Sequence, residues 1–325
     1  MPPPRCLHCS RPPALLRPRC GSPLCRGCFV RRFEAEALRS LAPGSRPPAP
    51  GPGATVAVAA SGGKDSTVLS HLLQRFAPRL GWRLALVSVD EGIAGYREAA
   101  LAAVRRGRGS PPLLVLSHRE LFGWSVDELG PALGPGSRCT FCGVMRRQAL
   151  ERAARLLAAD WIATGHNADD IAETVLMNFL RGDVARLRRT ATEATGGTGD
   201  PTGTSRAVPR CKPLRHAYEK EIVLYAYFQG LEYVSTECVY APQAFRGHAR
   251  ALLKELEAAR APAVAALGHS SRRLRVGAEG GGRVLGACRR CGFAASRELC
   301  KACVLLAALE RGRPKVGLGK RALEG

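Results

Sequence analysis

The stretch TVAVAASGGKDS, residues 55–66, joins a short β-branched run to a tight glycine turn. A helical pattern follows at once, with apolar side chains at positions 68, 69, 72, 73 and 76. A buried strand, a glycine turn and the start of a helix bring free backbone N–H groups to one point, where an anion binds well. This order of elements therefore predicts a phosphate-binding loop within an α/β fold.

Strand and helix patterns go on alternating after that stretch. We expect strands over Thr55–Ala60, Leu84–Val89, Leu113–Ser117 and Trp161–Thr164, and helices over Ser66–Ala77, Tyr96–Arg106, Val144–Ala159 and Ile171–Leu180. Continuously apolar strands separated by helices are typical of a parallel sheet covered on both faces. Pro78 is expected to end the first helix. In such a sheet, ligands bind beyond the carboxyl ends of the strands.

The glycine turn differs from the Walker A loop. That motif requires Gly at position 58 and Ser or Thr at position 65, where this chain has Val58 and Asp65. SGGKDS instead resembles the pyrophosphate loop of the adenine-nucleotide α-hydrolases, which cleave ATP between the α and β phosphates and transfer AMP. The resemblance implies a Rossmann-like domain. The candidate phosphate ligands are Ser61, Gly62, Gly63, Lys64 and Ser66. We expect Lys64 to face solvent when no nucleotide is bound.

More polar residues follow the predicted strands, at the edge where a nucleotide and Mg²⁺ would bind. They are Asp90 after the second strand, Gly165 and His166 after the fourth, and Asp169 and Asp170 at the start of the next helix. Asp65 or Asp170 is the candidate that holds Mg²⁺ or orients the nucleotide. Helix capping alone would also explain the acidic residues at 169 and 170, and the two roles are compatible.

Pairs of CxxC motifs lie near both ends of the chain. A CxxC turn directs two thiolates to one side of a metal ion, and a second CxxC completes a tetrahedron. The predicted zinc ligands are Cys6, Cys9, Cys25 and Cys28 in the first quartet, and Cys288, Cys291, Cys300 and Cys303 in the second. Disulfides are the alternative, but 13 cysteines are an odd number and no apolar signal segment opens the sequence. Cys20 lies between the two CxxC pairs of the first quartet and is a rival ligand, but we favour the CxxC geometry.

Segments rich in proline and glycine divide the chain. We place a zinc module at residues 1–42, a linker at 43–53, the nucleotide-binding domain at 54–267, and a second zinc module with a basic tail at 268–325. A mobile surface loop is expected at 191–207, and a spacer at 277–283.

Positive charge is concentrated at the two ends. The chain has 49 Lys and Arg against 27 Asp and Glu, a formal net charge of +22, to which residues 1–50 contribute +7 and residues 268–325 contribute +9. This excess favours a polyanionic partner, most simply a nucleic acid. A compositional drift towards Arg would give the same excess. Apolar runs are far shorter than a bilayer requires, so we expect no membrane-spanning segment.

A third set of cysteines lies inside the nucleotide-binding domain. Cys139 and Cys142 form a CxxC at the start of a predicted helix, and either Cys238 or Cys211 supplies a third thiolate. On a [4Fe–4S] cluster, three thiolates leave one iron free to bind a ligand such as sulfide. A third zinc and a redox thiol pair are the alternatives. Cys211 lies between prolines and cations, which predicts an exposed thiol with a depressed pKa.

Several strings in this frame resemble the cytoplasmic tRNA 2-thiolation family, catalytic subunit, over nearly the whole chain. They are SGGKDS, DEGI-x-GYR, CTFCGV-x-RRQAL, TGHNADD, LMNFLRGD, KPL and YEKEIVLY. The resemblance implies ATP-dependent adenylation of C2 of the wobble uridine, U34, in the tRNAs for Lys, Glu and Gln, and replacement of its oxygen by sulfur. It also implies a cytoplasmic enzyme, a sulfur carrier of the ubiquitin-related type and a paired non-catalytic subunit. Whether the chain also forms a homodimer is left open.

The resemblance also assigns cluster ligands. It implies that Cys139, Cys142 and Cys238 hold the cluster and that Cys211 is a bystander. Arg146 follows the CxxC by one turn and is a candidate to stabilise the charge that develops during AMP transfer. The implied cofactors are ATP, Mg²⁺, two structural Zn²⁺ ions and a [4Fe–4S] cluster. Two other functions stay open, a different ATP-dependent ligase and a non-catalytic zinc-dependent tRNA-binding scaffold.

Overall fold

A computed structural model describes residues 5–41, 49–107, 111–133, 137–184, 186–187, 207–274 and 286–312. Residues 43–48 of the linker, 191–206 of the predicted loop, the spacer at 277–283 and the tail after residue 312 lie outside these ranges.

Three consecutive parts of the chain contain the strands and helices. The N-terminal part contains β1 (Leu15–Leu16), β2 (Pro23–Leu24) and α1 (Arg26–Arg39). The central part contains β3 (Thr55–Ala59), α2 (Lys64–Leu80), β4 (Arg83–Asp90), α3 (Arg97–Arg106), β5 (Leu113–Ser117), α4 (His118–Phe122), α5 (Gly130–Leu133), α6 (Arg138–Leu156), β6 (Trp161–Ala163), α7 (Ala168–Leu180), β7 (Arg210–Cys211), α8 (Glu219–Gln229), a 3₁₀ turn (Ala241–Gln243), α9 (Phe245–Ala259) and α10 (Ala263–Arg273). The C-terminal part contains β8 (Gly286–Ala287), β9 (Ala294–Ala295) and α11 (Lys301–Glu310).

The central strands form the parallel sheet expected from the sequence. Its order is β5-β4-β3-β6-β7, and each neighbouring pair is parallel. The chain builds outwards from β3 to β5 and then crosses to β6 on the other side of β3. Because a helix between parallel strands runs back against them, the N-termini of α2, α6 and α7 lie at the carboxyl edge of the sheet.

The sheet is covered on both faces. Alternate residues of β3 face opposite sides, as the strand period requires. Val56 and Val58 pack in one cluster with side chains of α1, α2 and α8, such as Leu72. Ala57 packs in another cluster with Ala153 of α6. The N-terminal part therefore covers the face opposite α6.

The N-terminal part docks onto α8 through aromatic and ionic contacts. The rings of Phe33 and Tyr225 stack with centroids 4.6 Å apart. Arg17 Nε donates to Glu221 Oε1 at 2.6 Å, and both side chains are almost fully buried. Arg17 also donates to both carboxylate oxygens of Glu36. A buried pair is tolerated only when its hydrogen bonds are satisfied, and in this pair they are.

The C-terminal part docks onto the other side, on α6. Ala302, Leu305 and Leu309 of α11 share an apolar cluster with Phe141 and Met145 of α6. On the periphery, α9 and α10 pack against α7. Within the described ranges, no helix has both the length and the apolar character that crossing a membrane requires.

Several helix boundaries differ from the sequence-based expectation; for example, α2 begins at Lys64 rather than Ser66, and α7 begins at Ala168 rather than Ile171. α2 continues past Pro78 to Leu80 and ends at Gly81, whose φ of +66° closes the helix in the left-handed region. Pro78 lies in the last turn of α2, where its missing N–H removes one hydrogen bond close to the end of the helix. α6 starts at Arg138 rather than Val144, because its apolar face at Phe141 and Met145 packs against α11 and favours a helix through the CxxC.

Candidate active site

The phosphate loop lies at the point where the strand order reverses. SGGKDS follows β3, and TGHN follows β6, its neighbour on the other side from β4. The ends of two neighbouring strands whose connections leave in opposite directions create a crevice, which is where open α/β sheets bind ligands. The crevice between β3 and β6 is therefore the candidate nucleotide site.

Ser66 holds the loop in shape. Its hydroxyl accepts from the Ser61 backbone N–H at 3.1 Å and donates to the Gly63 carbonyl at 3.0 Å. Gly62 has a φ of +78°, and a Cβ there would lie 2.4 Å from the carbonyl oxygen of Ala100. A side chain at position 62 would thus clash with the backbone of α3, so this turn requires glycine.

Gly165 allows the two strand ends to approach each other. A Cβ at this position would lie 3.0 Å from the Asp65 carbonyl carbon and 3.2 Å from the Ser66 nitrogen. Because Gly165 has no side chain, the backbone of TGHN can lie directly against the first turn of α2 at the edge of the crevice.

Lys64 does not face solvent freely, contrary to the expectation from sequence. Its Nζ lies 2.8 Å from Glu219 Oε1 and 3.2 Å from Asp65 Oδ2, and its side chain is 26% exposed. Burial opposes the charge, but the Asp65 and Glu219 carboxylates together raise the pKa of Lys64. Glu219 opens α8 and was not singled out from the sequence, although it stands in the string YEKEIVLY.

The first turn of α7 joins capping to the site. Asn167 and Asp170 form a capping box, with side-chain to backbone distances of 2.9 and 3.2 Å. Asn167 Nδ2 also donates to Asp65 Oδ1 at 2.9 Å. Asp169 accepts from the Glu219 backbone N–H at 2.7 Å, and burial raises the pKa of Asp169 to about 6. The acidic residues of this turn therefore cap α7 and also lie next to the phosphate loop. Asn167, which joins the two, was not among the candidate site residues expected from the sequence.

His166 leaves β6 on the same edge. Its Nδ1 lies 2.9 Å from the Thr164 hydroxyl. Desolvation by the surrounding protein, together with nearby cations such as Lys212 and Arg246, lowers the pKa of His166 to about 3. The ring is therefore neutral at physiological pH.

The three inner cysteines form a second centre near the carboxyl edge. Cys142 is buried beside Ile93 and Val126, and Cys238 packs against the same group. Cys139 donates to the Tyr240 carbonyl at 3.5 Å, two residues after Cys238. Burial raises the pKa of Cys142 to about 11, so binding of a metal there would release a proton.

The spacing of these thiols differs from that of the terminal quartets. In each quartet the four sulfurs lie within 4.8 Å of one another, and no other group of three metal ligands in the described part of the chain is so close. A single tetrahedral ion with metal–sulfur bonds of about 2.3 Å holds its sulfurs about 3.8 Å apart. Each quartet is therefore compact enough for one such ion, whereas Cys139, Cys142 and Cys238 are not grouped this closely.

Arg146 lies beside this centre. Its Nη2 is 2.8 Å from Glu91 Oε1 and 3.4 Å from Cys142 Sγ, as expected for residues four apart on a helix. The nearly buried Glu91 fixes the guanidinium and was missed as a site residue by the sequence. Asp90 accepts from the Gly92 N–H at 2.8 Å and so shapes the turn after β4.

Of the two remaining cysteines, Cys211 differs from expectation and Cys20 agrees with it. Cys211 is buried in β7, and burial raises its pKa to about 12, so the prediction of an exposed, acidic thiol was wrong. Its flanking cations point elsewhere while the thiol faces the core. Cys20 is exposed and bonds to the Ser22 hydroxyl at 3.1 Å, outside the quartet for which it was a rival.

Comparison with known proteins identifies the family. The chain is 56% identical to cytoplasmic tRNA 2-thiolation protein 1 of Bos taurus, over 98% of this chain and 92% of that relative. It is 50% identical to the protein of the same name from Danio rerio, over 98% and 92%. The chain belongs to the cytoplasmic tRNA 2-thiolation protein 1 family. This confirms the family expected from the sequence.

Two domain families and one solved structure agree with membership in the 2-thiolation family. The PP-loop domain family matches residues 134–256, and a zinc-ribbon family matches residues 286–317. The U34-tRNA thiolase NcsA from Methanococcus maripaludis, solved with its [4Fe–4S] cluster, is 27% identical and covers 93% of this chain and 95% of its own, with a TM-score of 0.79. The predicted fold class is thereby confirmed. ATP binding and metal binding by cysteine groups follow for this family member.

Proposed function

We propose that this chain is an ATP-dependent sulfurtransferase that thiolates C2 of U34 in tRNA. One observation carries the proposal. A phosphate-binding crevice between β3 and β6 and a three-cysteine centre, formed by the first turns of α6 and by Cys238, occupy the carboxyl edge of one sheet. A non-catalytic scaffold has no use for the first site, and a simple amidating ligase has none for the second.

The reaction divides into two substitutions. The C2 oxygen of uridine is a poor leaving group, so it first attacks the α phosphorus of ATP. The bond to the β phosphate breaks, pyrophosphate leaves with its electron pair, and the N3 proton is lost. Sulfur at the sulfide level, as HS⁻, then attacks C2, AMP leaves with the former uridine oxygen, and the S–H proton returns to N3. Donors and cations that face the charge as it develops lower both barriers.

The residues of the crevice have distinct roles in the first step. Ser61, Gly62, Gly63 and Ser66 present backbone and hydroxyl donors to the phosphates at the N-terminus of α2. Lys64 leaves Glu219 and neutralises the phosphates. Asp65 and Asp170 are the candidates for Mg²⁺, with Asp169, His166 and Gly165 lining the nucleotide and Asp90 shaping the next turn. Arg146, fixed by Glu91, stabilises charge as AMP is transferred.

The cysteine sites take two kinds of metal. We assign a [4Fe–4S] cluster to Cys139, Cys142 and Cys238, because Cys238 packs beside Cys142, Cys139 donates to the Tyr240 carbonyl near Cys238, and NcsA was solved with such a cluster. When bound, this group supplies an iron without a cysteine ligand, where a sulfide can be held. We assign structural zinc to the two outer quartets, whose sulfurs match its tetrahedral size.

Membership in the 2-thiolation family supports a set of substrates and partners. The substrates are the tRNAs for Lys, Glu and Gln, and the compartment is the cytoplasm, as in the names of the relatives. We infer that sulfur arrives on a ubiquitin-related carrier and that a non-catalytic subunit pairs with this chain.

The test is a reconstituted reaction under anaerobic conditions. Purified protein, ATP, Mg²⁺, sulfide and an unmodified tRNA for Lys should give 2-thiouridine at U34 by mass spectrometry, with one AMP released per sulfur. Loss of the product on removal of iron and labile sulfide distinguishes this enzyme from another ligase. Release of AMP without sulfur incorporation under full reconstitution would contradict the proposal.

A further inference from the structure

Cations gather beside the crevice on the β7 side. Lys212 follows β7, and His166 follows the neighbouring strand β6, whose Ala163 pairs with Cys211. Arg210 Nη2 reaches across to donate to the backbone carbonyl of Arg147 on α6 at 3.0 Å. Arg246 approaches from α9, with Nη1 3.7 Å from Asp170 Oδ1. Elements distant in sequence thus bring positive charge to one place.

Neighbouring arginines on α6 serve different sites. Arg146 lies four residues after Cys142 and points to it. Arg147 is turned by a further 100° or so, about 140° away from Cys142 around the helix axis. Its side chain is exposed, on the side of α6 that meets Arg210. Arg147 is therefore not explained by the three-cysteine centre.

The acidic neighbours of this group are already engaged. Glu151 accepts from the Val208 N–H at 2.7 Å and lies 3.5 Å from Arg210. Glu173 accepts from both Arg246 and Arg250. Among the described residues, no carboxylate lies within ion-pair distance of the Arg147 guanidinium. Desolvation by the surrounding protein, despite the exposed part of the side chain, together with the like charges of Arg210 and Arg186, lowers the pKa of Arg147.

We propose that Arg147, Arg210 and Lys212 form a phosphate subsite for the tRNA strand next to U34. The inference rests on the proposed function and specifies where the substrate backbone lies. The triphosphate of ATP has its own cradle at the N-terminus of α2, so the phosphates left for this group are those of the RNA. Arg and Lys side chains are the usual ligands of phosphate oxygens in protein–nucleic acid contacts.

A double variant tests the subsite. Arg147→Ala with Lys212→Ala should weaken binding of a tRNA for Lys by about tenfold or more, because two charge-assisted contacts are lost. The slope of log K against log salt should become shallower by roughly 1 for each residue. The matched control is Arg79→Ala with Arg83→Ala, which removes the same charge from exposed residues at the amino edge of the sheet. The control should leave the slope near that of the unaltered chain.

Separate measurements identify the source of the phosphate. ATP affinity and iron content should stay unchanged in the double variant. A fall in ATP affinity with normal tRNA binding would assign the group to the nucleotide and overturn the proposal, as would an unchanged salt slope. If the double variant melts at a lower temperature, the single exposed Arg147→Ala variant carries the same test with a slope change of roughly 1. Thiolation by the unaltered chain is measured in parallel, so that failure of the subsite and failure of the proposed function are told apart.

Discussion

At the scale of single residues, Lys64 is held by two carboxylates where a phosphate would later bind. We predict that Lys64→Ala reduces thiolation by a hundredfold or more, the magnitude typical of losing one donor from a charge-stabilising site. The fold should persist, because the side chain lies at a helix N-terminus and contributes little to the core. AMP release and circular dichroism measure the two effects. Full activity, or loss of the fold, would contradict this role.

Glu219 competes for the same lysine. Glu219→Gln removes a negative charge 2.8 Å from Lys64 Nζ while keeping the shape of the side chain. Because a partly exposed ion pair contributes up to about 1 kcal/mol, we predict that the affinity for ATP rises by up to about fivefold. Calorimetric titration with ATP and Mg²⁺ measures the change. Weaker binding would instead show that Glu219 is a ligand of the nucleotide or its metal ion.

The choice of third cluster ligand is also decided at single residues. Cys238 packs beside Cys142, whereas Cys211 is buried in β7. We therefore predict that Cys238→Ser abolishes the iron absorbance and thiolation, while Cys211→Ser keeps both. ATP binding should survive in each variant because the phosphate loop is separate. Loss of the absorbance in Cys211→Ser would reverse the assignment.

At the scale of elements, the sequence predicted what is local. The run TVAVA and the glycine turn placed β3 and the start of α2 to within two residues, since period and turn chemistry are contained in adjacent residues. The burial of Cys211 and the early start of α6 depend on partners far along the chain, β6 for the former and α11 for the latter. The pairing of Lys64 with Glu219 likewise joins residues that only the fold brings together.

One helix, α6, connects the inner centre with the C-terminal quartet. Its first turn carries the CxxC, and Gln148 Nε2 donates to Cys291 Sγ at 3.3 Å. Hydrogen bonds to metal ligands commonly change metal affinity by 10- to 100-fold. We predict that Gln148→Ala speeds the loss of zinc from the C-terminal quartet to a chromophoric chelator by about tenfold or more. Gln74→Ala, on α2 and bonded to Ser70, is the matched control. Equal release rates in the two variants would show that the contact does not stabilise the metal.

At the scale of the whole molecule, the two cysteine quartets lie on opposite sides of the sheet. The N-terminal part covers the face formed by α2 and α8, and it is fixed there by Arg17 and Glu221, which are 204 residues apart in sequence. The C-terminal part packs on α6, next to the CxxC. The sequence shows two similar quartets at the ends of the chain. Only the fold shows that the C-terminal quartet lies beside the inner cysteine centre and that the N-terminal quartet lies on the opposite face of the sheet.

This arrangement predicts that the two quartets affect iron unequally. Cys6→Ser with Cys9→Ser should remove about one zinc per chain, in keeping with one tetrahedral site, and leave iron content unchanged. Cys288→Ser with Cys291→Ser should also remove one zinc. Without the zinc, α11 would no longer be held in place. Ala302 and Leu305 would then pack less tightly against Phe141, and the turn that holds Cys139 and Cys142 would become looser. We therefore expect faster bleaching of the iron absorbance in air for the second variant alone. Metal analysis and the bleaching rate test this prediction. Equal bleaching in both variants would mean that the C-terminal module does not support the inner centre. Loss of iron from the Cys6→Ser, Cys9→Ser variant would mean that the metal sites are wrongly assigned.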